Sequence, residues 1–401
     1  MHRLLALIAL SALPALAQGG IVFTPHLSEY ARLAPGQYTE FTLITTRIEE
    51  VYDRDGRKVH TGAPFIPPGD RIDASLLLFK SLWVGNPFRD SEFAFLRERP
   101  QFCRIIATLG HQQATGNAVR RGLNAGQHSG ASGLGDLFGL CGIYGLEHRY
   151  GPVKGNGLFG TTVKVPIGRY DTDALLNTGT NYWSVIPQLA VHAELFGRIY
   201  VDGTFAWQFN GDNDEPAFGG LTPTDPADVR NLEVNVAWKF NEHWFADLGW
   251  SHRASVGPNR YERFTLNLRD QPLPPTSACA STQPLLGFPI PDALCNSLPF
   301  FYLAPRPGPY QDRGVEGTLL TAGIYYVYRT STVLNLRVAQ PIFGRGGQIE
   351  AIYDVFATPP DAPGSAPIAQ LTSTQNGVQE AAAVSASPYL ELRLVYLFWA
   401  P

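Results

Sequence analysis

The chain has 401 residues, of which 44% are apolar, 12% aromatic and only 16% charged, with a net charge of −4. A soluble domain carries about 25% charged residues. Scarce charge, abundant aromatics and an acidic pI near 6.1 exclude an intrinsically disordered chain and argue against a nucleic-acid binder. Yet the mean hydropathy of −0.08 is not that of a helical membrane protein.

Residues 1–17 read as a secretory signal peptide. Arg3 is the positive n-region, Leu4 to Leu13 a short apolar h-region, and Ala15-Leu16-Ala17 a small-x-small cleavage site. The apolar stretch is too short to span a hydrocarbon core, which needs about 20 residues. Cleavage after Ala17 leaves 18–401 as one expected domain. No later window offers a transmembrane helix; Leu76-Leu77-Leu78-Phe79 runs straight into Lys80.

From there the apolar period is two. Weak candidate strands lie at 37–52, 71–83 and 93–109, the last interrupted by Arg99-Pro100. Stronger ones follow at 136–148, 158–167, 183–194, 199–210, 231–240, 244–254, 317–328, 332–342 and 389–399. In 183–195, Trp183, Val185, Leu189 and Val191 share one parity, against Ser184, Gln188, His192 and Glu194. In 199–210, Ile199, Val201, Phe205 and Phe209 alternate with Asp202, Thr204 and Gln208. The apolar parity repeatedly starts or stops on an aromatic, as at Trp183, Phe209, Phe240, Trp244, Trp250, Tyr328 and Phe398. Interfacial girdles of an outer-membrane barrel require this, because the outward face meets lipid while the polar face meets a wet lumen.

Connection lengths carry the same message. Long links cover about 110–133, 168–182, 211–230, 255–316 and 343–388, with short ones at 195–198, 241–243 and 329–331. An even strand count with alternating long and short links predicts an all-β, antiparallel transmembrane barrel of about twelve strands. Lipid dictates closure, since every backbone N–H and C=O must be paired internally. The last strand ends on Trp399, with Ala400-Pro401 beyond it.

The predicted lumen carries both charge signs: Gln188, His192, Glu194, Asp202, Gln208, Glu233, Asn235, Lys239, Asp247, Asn335, Arg337, Glu391 and Arg393 are the candidate pore-lining residues. Four cysteines fit an oxidising compartment. Cys279 and Cys295 form a natural pair within a Pro-rich loop, while Cys103 and Cys141 either form a second pair or stay free. Sequence does not choose among the three pairings of four cysteines. No CxxC or HxxxH spacing points to a metal, and no cofactor is expected.

Several segments in the middle of the chain form a pattern: Gly133-Leu134-Gly135-Asp136-Leu137, then Val163-Lys164-Val165-Pro166-Ile167-Gly168-Arg169-Tyr170-Asp171, Asn177-Thr178-Gly179-Thr180-Asn181-Tyr182-Trp183, and Phe209-Asn210-Gly211-Asp212-Asn213. Over roughly 130–255 this resembles the bacterial outer-membrane family labelled MetA-pathway of phenol degradation. The resemblance implies an outer-membrane barrel, similar in idea to the fatty-acid and toluene transporters, and a link to degradation of aromatic compounds. It brings no catalytic residues. Bottom-up, Gly168 and Gly179 suit tight backbone, Pro166 suits a strand end, and Asp136, Asp171, Asn177 and Asn181 suit side-chain-to-backbone turn bonds.

Three functions follow as expectations. The first is a channel or transporter for small hydrophobic or aromatic solutes, with outer-membrane lipid and the barrel-assembly machinery as partners. The second is a structural or adhesive surface protein, whose long 255–316 loop acts either as a plug or as a binding surface. The third is an outer-membrane hydrolase built on Ser251, His252, Ser255 and Asp247. Adjacent strand residues such as Ser251 and His252 point to opposite faces and cannot pair locally, and no G-x-S-x-G elbow is present. The 357–387 stretch reads as an external loop.

Overall fold

In the computed structural model the described residues are 30–399, apart from 53–54, 61–70, 117–128, 173, 175, 216–220, 265–301, 306–309, 312–313, 329–331, 346–347, 359–361 and 377–384. One antiparallel sheet dominates. Its strands are β1 (Gly36–Ile48), β2 (Arg71–Gly85), β3 (Gln101–Thr115) and β4 (Leu137–Tyr150). They continue as β5 (Val153–Val165), β6 (Ser184–Leu195), β7 (Ile199–Asn210) and β8 (Asp228–Lys239). β9 (Trp244–Val256), β10 (Glu316–Tyr328), β11 (Thr332–Arg345) and β12 (Tyr389–Trp399) complete the set. Each strand pairs with its successor, and β1 pairs with β12, so the sheet is a closed twelve-stranded barrel. Closure leaves no unpaired edge to face lipid.

The barrel is inside-out relative to a soluble sandwich. On β6, Val185, Leu189 and Val191 are 46%, 58% and 55% exposed, while the alternate Ser184, Ala190 and His192 are buried. The same holds on β11, where Leu334, Leu336 and Val338 face out and Asn335 and Arg337 are buried. Apolar side chains outside and polar ones inside are stable only when the outer solvent is hydrocarbon. Outward aromatics mark both ends of the wall, Trp83, Trp238, Trp244 and Tyr328 at the short-turn end and Trp183 and Phe209 at the long-loop end, with Phe41, Phe79, Phe159 and Phe205 facing out between them.

Strand boundaries differ from the sequence reading in three places. β1 stops at Ile48, and Glu50–Tyr52 pairs instead with Lys58–His60 as a small hairpin in the first long loop. β3 begins at Gln101 rather than 93, because Pro100 lacks an N–H for the ladder and Ala94–Arg97 coils into a single helical turn. β5 begins at Val153, a stretch where Gly155 and Gly157 mask the strand signal in sequence but both ladder with β6, while the β4 register shifts between Tyr144 and Glu147 opposite Gly157. The 357–387 region is likewise not a plain loop. Pro367–Asn376 pairs with Gln348–Phe356, which also holds Tyr302–Pro305, forming a small sheet on the long-loop side.

The described disulfide joins Cys103 to Cys141, direct register partners on β3 and β4. The expected Cys279–Cys295 pair lies outside the described residues. The clasp sits where the wall is thinnest in pairing. β4 meets β3 only over Phe138–Ile143 against Gln101–Ile106, and farther up β3 is covered by the short segment Gly130–Leu134.

Candidate functional site: the barrel interior

All the predicted lumen residues lie on the inward parity, and the structure sorts them into distinct groups. The largest is a charged belt across β9–β12 and on to β2. Arg337, only 1% exposed, bonds the Asp247 carboxylate and donates at 2.8 Å to the Tyr325 hydroxyl, which in turn donates to Asp247 at 2.7 Å. Glu391 is the direct register partner of Arg337. Beside it, Arg393 donates to Glu40 at 2.6 Å, and Lys80 lies 3.1 Å from the same carboxylate. Both charge signs are therefore paired within the belt, as buried charges must be. Asn335 donates to the Ile324 carbonyl at 3.1 Å.

A second group lines β5–β7. His192 and Asp202 are register partners joined at 2.8 Å, with Asp202 fully buried. Glu194 pairs with Lys154 at 3.3 Å. Gln208 bonds Asn210 at 2.7 Å. Asn235 is fully buried; Gln188 and Glu233 are half-buried on the same inner surface. Lys239 lies at the short-turn end, 5.8 Å from the Phe245 ring centre.

Two inward-facing apolar clusters flank this polar middle. Ile44, Leu78, Leu319, Ala339 and Tyr389 pack together toward the long-loop end, with Leu76 and Ile106 against them. At the short-turn end Tyr30, Val84, Phe102, Leu140, Tyr144, Leu158 and Ala190 form the other. The segment before β1 thus enters the barrel mouth and seats Tyr30 inside.

The opposite mouth is narrowed by the 166–183 connection. Its Leu176 and Asn177 are fully buried. Gln112, on the inner face of β3, donates to the Asn177 carbonyl at 3.2 Å, so this loop folds inward over the wall. Asp136 ties it down, accepting from Gly168 N at 3.2 Å and from Thr180 N and Oγ1 at 3.0 and 2.5 Å. Lys164 donates to Thr180 Oγ1 at 2.6 Å and sits 3.4 Å over the Tyr182 ring. Gly168 and Gly179 touch backbone to backbone; a Cβ on Gly168 would meet Gly179 Cα at 2.7 Å. The motif glycines are thus required by a crossing of two chain segments, and the motif aspartate by two backbone donors, Gly168 N and Thr180 N, that need an acceptor there. Asp171 and Asn177 exchange two bonds, Asp171 N to Asn177 Oδ1 at 2.8 Å and Asn177 Nδ2 to Asp171 O at 3.0 Å. Asn181 donates to Asn213 at 3.0 Å.

The sequence reading missed Glu40, Lys80, Tyr325, Asn156 and Tyr30. Tyr325 was legible, standing on the polar parity of its strand next to the outward Tyr326. Glu40 and Lys80 sit in the weakly alternating N-terminal third. The hydrolase residues do not converge: Ser251 is fully buried inside, whereas His252 faces outward, stacked on Trp250 at 6.0 Å and 3.0 Å from Thr318 Oγ1. Among the described residues no cluster of metal-ligating side chains occurs.

A closed, even-stranded antiparallel barrel with an apolar outer wall, aromatics at both its ends and a charged interior is an outer-membrane β-barrel protein. The chain belongs to the family described as "Putative MetA-pathway of phenol degradation", whose model matches residues 56–268. No curated protein matches it by sequence. Among solved structures it is similar to an outer-membrane channel from Pseudomonas putida F1, with 13% identity over 92% of this chain and 97% of that one and a TM-score of 0.57. That likeness establishes the shared fold. Looser matches include the toluene transporter TodX of P. putida (12% identity, 94% and 93% covered, TM-score 0.28) and the translocator domain of NalP from Neisseria meningitidis (7%, 92% and 90%, TM-score 0.36).

Proposed function

We propose that this barrel conducts small hydrophobic or aromatic solutes across the outer membrane and is not an enzyme. The observation that carries the reading is the pair of apolar clusters on the inner wall, around Leu78 and Leu319 at one end and Phe102 and Leu158 at the other. A pore for hydrophilic solutes has a polar interior. Apolar seats separated by a paired charge belt suit a solute that leaves water in steps, while ions meet a belt whose charges are already neutralised. The charged and amide residues from Gln188 to Arg393 then act as the lining that braces this path. The phenol degradation in the family's description agrees with such a solute class.

The reading includes removal of residues 1–17 after Ala17, insertion by the barrel-assembly machinery and residence of 18–401 as one domain in outer-membrane lipid. Its test is uptake of a hydrophobic aromatic dye by intact cells that express or lack the protein. Faster uptake on expression is expected; equal rates overturn the reading. An adhesive role has one observation in its favour, the small sheet Tyr302–Pro305, Gln348–Phe356 and Pro367–Asn376 on the long-loop side. Deleting 348–376 separates the two, since adhesion would fall while uptake persisted.

A further inference from the structure

We propose that Asn156, His192 and Asp202 form a latch that holds the chain segment around Tyr30 inside the short-turn mouth, and that release of this latch sets how far the conduit opens. Asn156 on β5, His192 on β6 and Asp202 on β7 are successive register partners, so they stand in one row across three neighbouring strands. The Asn156 amide engages the segment twice, donating to the Tyr30 carbonyl at 2.8 Å and accepting from Arg32 N at 3.0 Å. In doing so it imitates the edge of a strand. Asp202 Oδ1 accepts from Tyr30 N at 3.3 Å and bonds His192 Nδ1 at 2.8 Å. His192 thereby fixes the carboxylate that grips the segment.

The physical need for such a device is plain. The barrel strands spend their own N–H and C=O groups on the ladder, so a segment entering the lumen must find side-chain partners or leave its backbone unpaired. The row supplies them. The Tyr30 ring adds an apolar anchor among Val84, Phe102, Leu140 and Leu158, and Arg32 pairs with Glu147 at the rim. Hydrogen bonds of this kind have small net worth each, so a hold made of three of them is reversible.

The test reads the segment directly. Ala31→Cys, in a protein with Cys279 and Cys295 replaced by serine, reports access of a small thiol reagent to the mouth, and ion conductance in a planar bilayer reports opening. The latch variants are Asn156→Ala with Asp202→Ala, and the single, isosteric Asn156→Asp, which keeps an acceptor for Arg32 N but sets a carboxylate against the Tyr30 carbonyl. Labelling about ten-fold faster, with a larger conductance, is expected for both, since losing even one or two such bonds shifts a two-state balance that far. Heat-modifiable migration on a gel confirms that each barrel is closed. Parent-level labelling and conductance in the folded Asn156→Asp protein overturn the latch. This outcome is distinct from failure of the proposed transport. Increased ion conductance without hydrophobic uptake in the parent would remove the solute class and leave the latch standing.

Discussion

Asp247 and Arg337 meet across an intervening strand, and the residue between them has no side chain. Asp247, Gly323 and Arg337 are consecutive register partners on β9, β10 and β11. The carboxylate and guanidinium close over Gly323, where an added Cβ would lie 2.5 Å from Asp247 Oδ1 and 3.2 Å from Asn335 Nδ2. The belt exists because that one position is empty.

Gly323→Ala is therefore expected to loosen the Asp247–Arg337 pair and to destabilise the folded barrel by about 1–3 kcal/mol, the usual cost of overpacking. Gly139→Ala is the control, since nothing lies within 4 Å of a Cβ there. Urea unfolding in detergent compares the two. Equal midpoints would mean that Gly323 is not what makes room for the pair.

Removing the Asp136 carboxylate leaves Gly168 N and Thr180 N without their acceptor. Asp136→Ala should free the inward-folded 166–183 loop, seen as new proteolytic cleavage there in intact cells and as a larger ion conductance. A protease-resistant loop in this variant would contradict the anchoring role.

The Cys103–Cys141 bond closes a loop of 38 residues in sequence separation. On the chain-entropy model it contributes about 4 kcal/mol at most. The Cys103→Ser, Cys141→Ser double variant should unfold at a lower temperature in the gel-shift assay, and reduced parent protein should match it. A reduced parent that keeps the oxidised midpoint would show that the β3–β4 seam does not depend on the clasp.

Leu336 faces lipid between two buried neighbours, Asn335 and Arg337. Leu336→Arg places a charge in hydrocarbon and is expected to cost about 2–4 kcal/mol near the midplane. Refolding into lipid vesicles followed by denaturant titration measures it. A neutral outcome would refute the outward assignment of this parity.

Leu76 leans on the apolar cluster toward the long-loop end. Leu76→Asn should slow uptake of a hydrophobic aromatic dye while leaving ion conductance close to that of the parent, because it changes the polarity of the wall more than its width. An unchanged dye rate would remove this cluster from the solute path.

How much of this was legible beforehand depends on the range of the rule involved. The alternation of Val185 with Ser184 and of Leu336 with Arg337 is local: lipid on one face and a polar interior on the other act on every strand separately, so parity, strand number and the placing of lumen candidates could be read residue by residue. Gly155 and Gly157 blurred a boundary because ladder partners can override weak local propensity, whereas at Pro100 the local rule held and the strand starts just after it. Which interior groups meet is another matter. Glu40 and Arg393 are 353 positions apart and touch only because β12 closes against β1. Asp136 finds Thr180 through a loop that folds back over β3, and Tyr30 finds Asp202 through the barrel mouth. The sequence by itself determined a chain that must hide its backbone from lipid in a closed sheet. Register, shear and the inward path of two connecting segments decided the rest, because those are properties of closure and belong to no single strand.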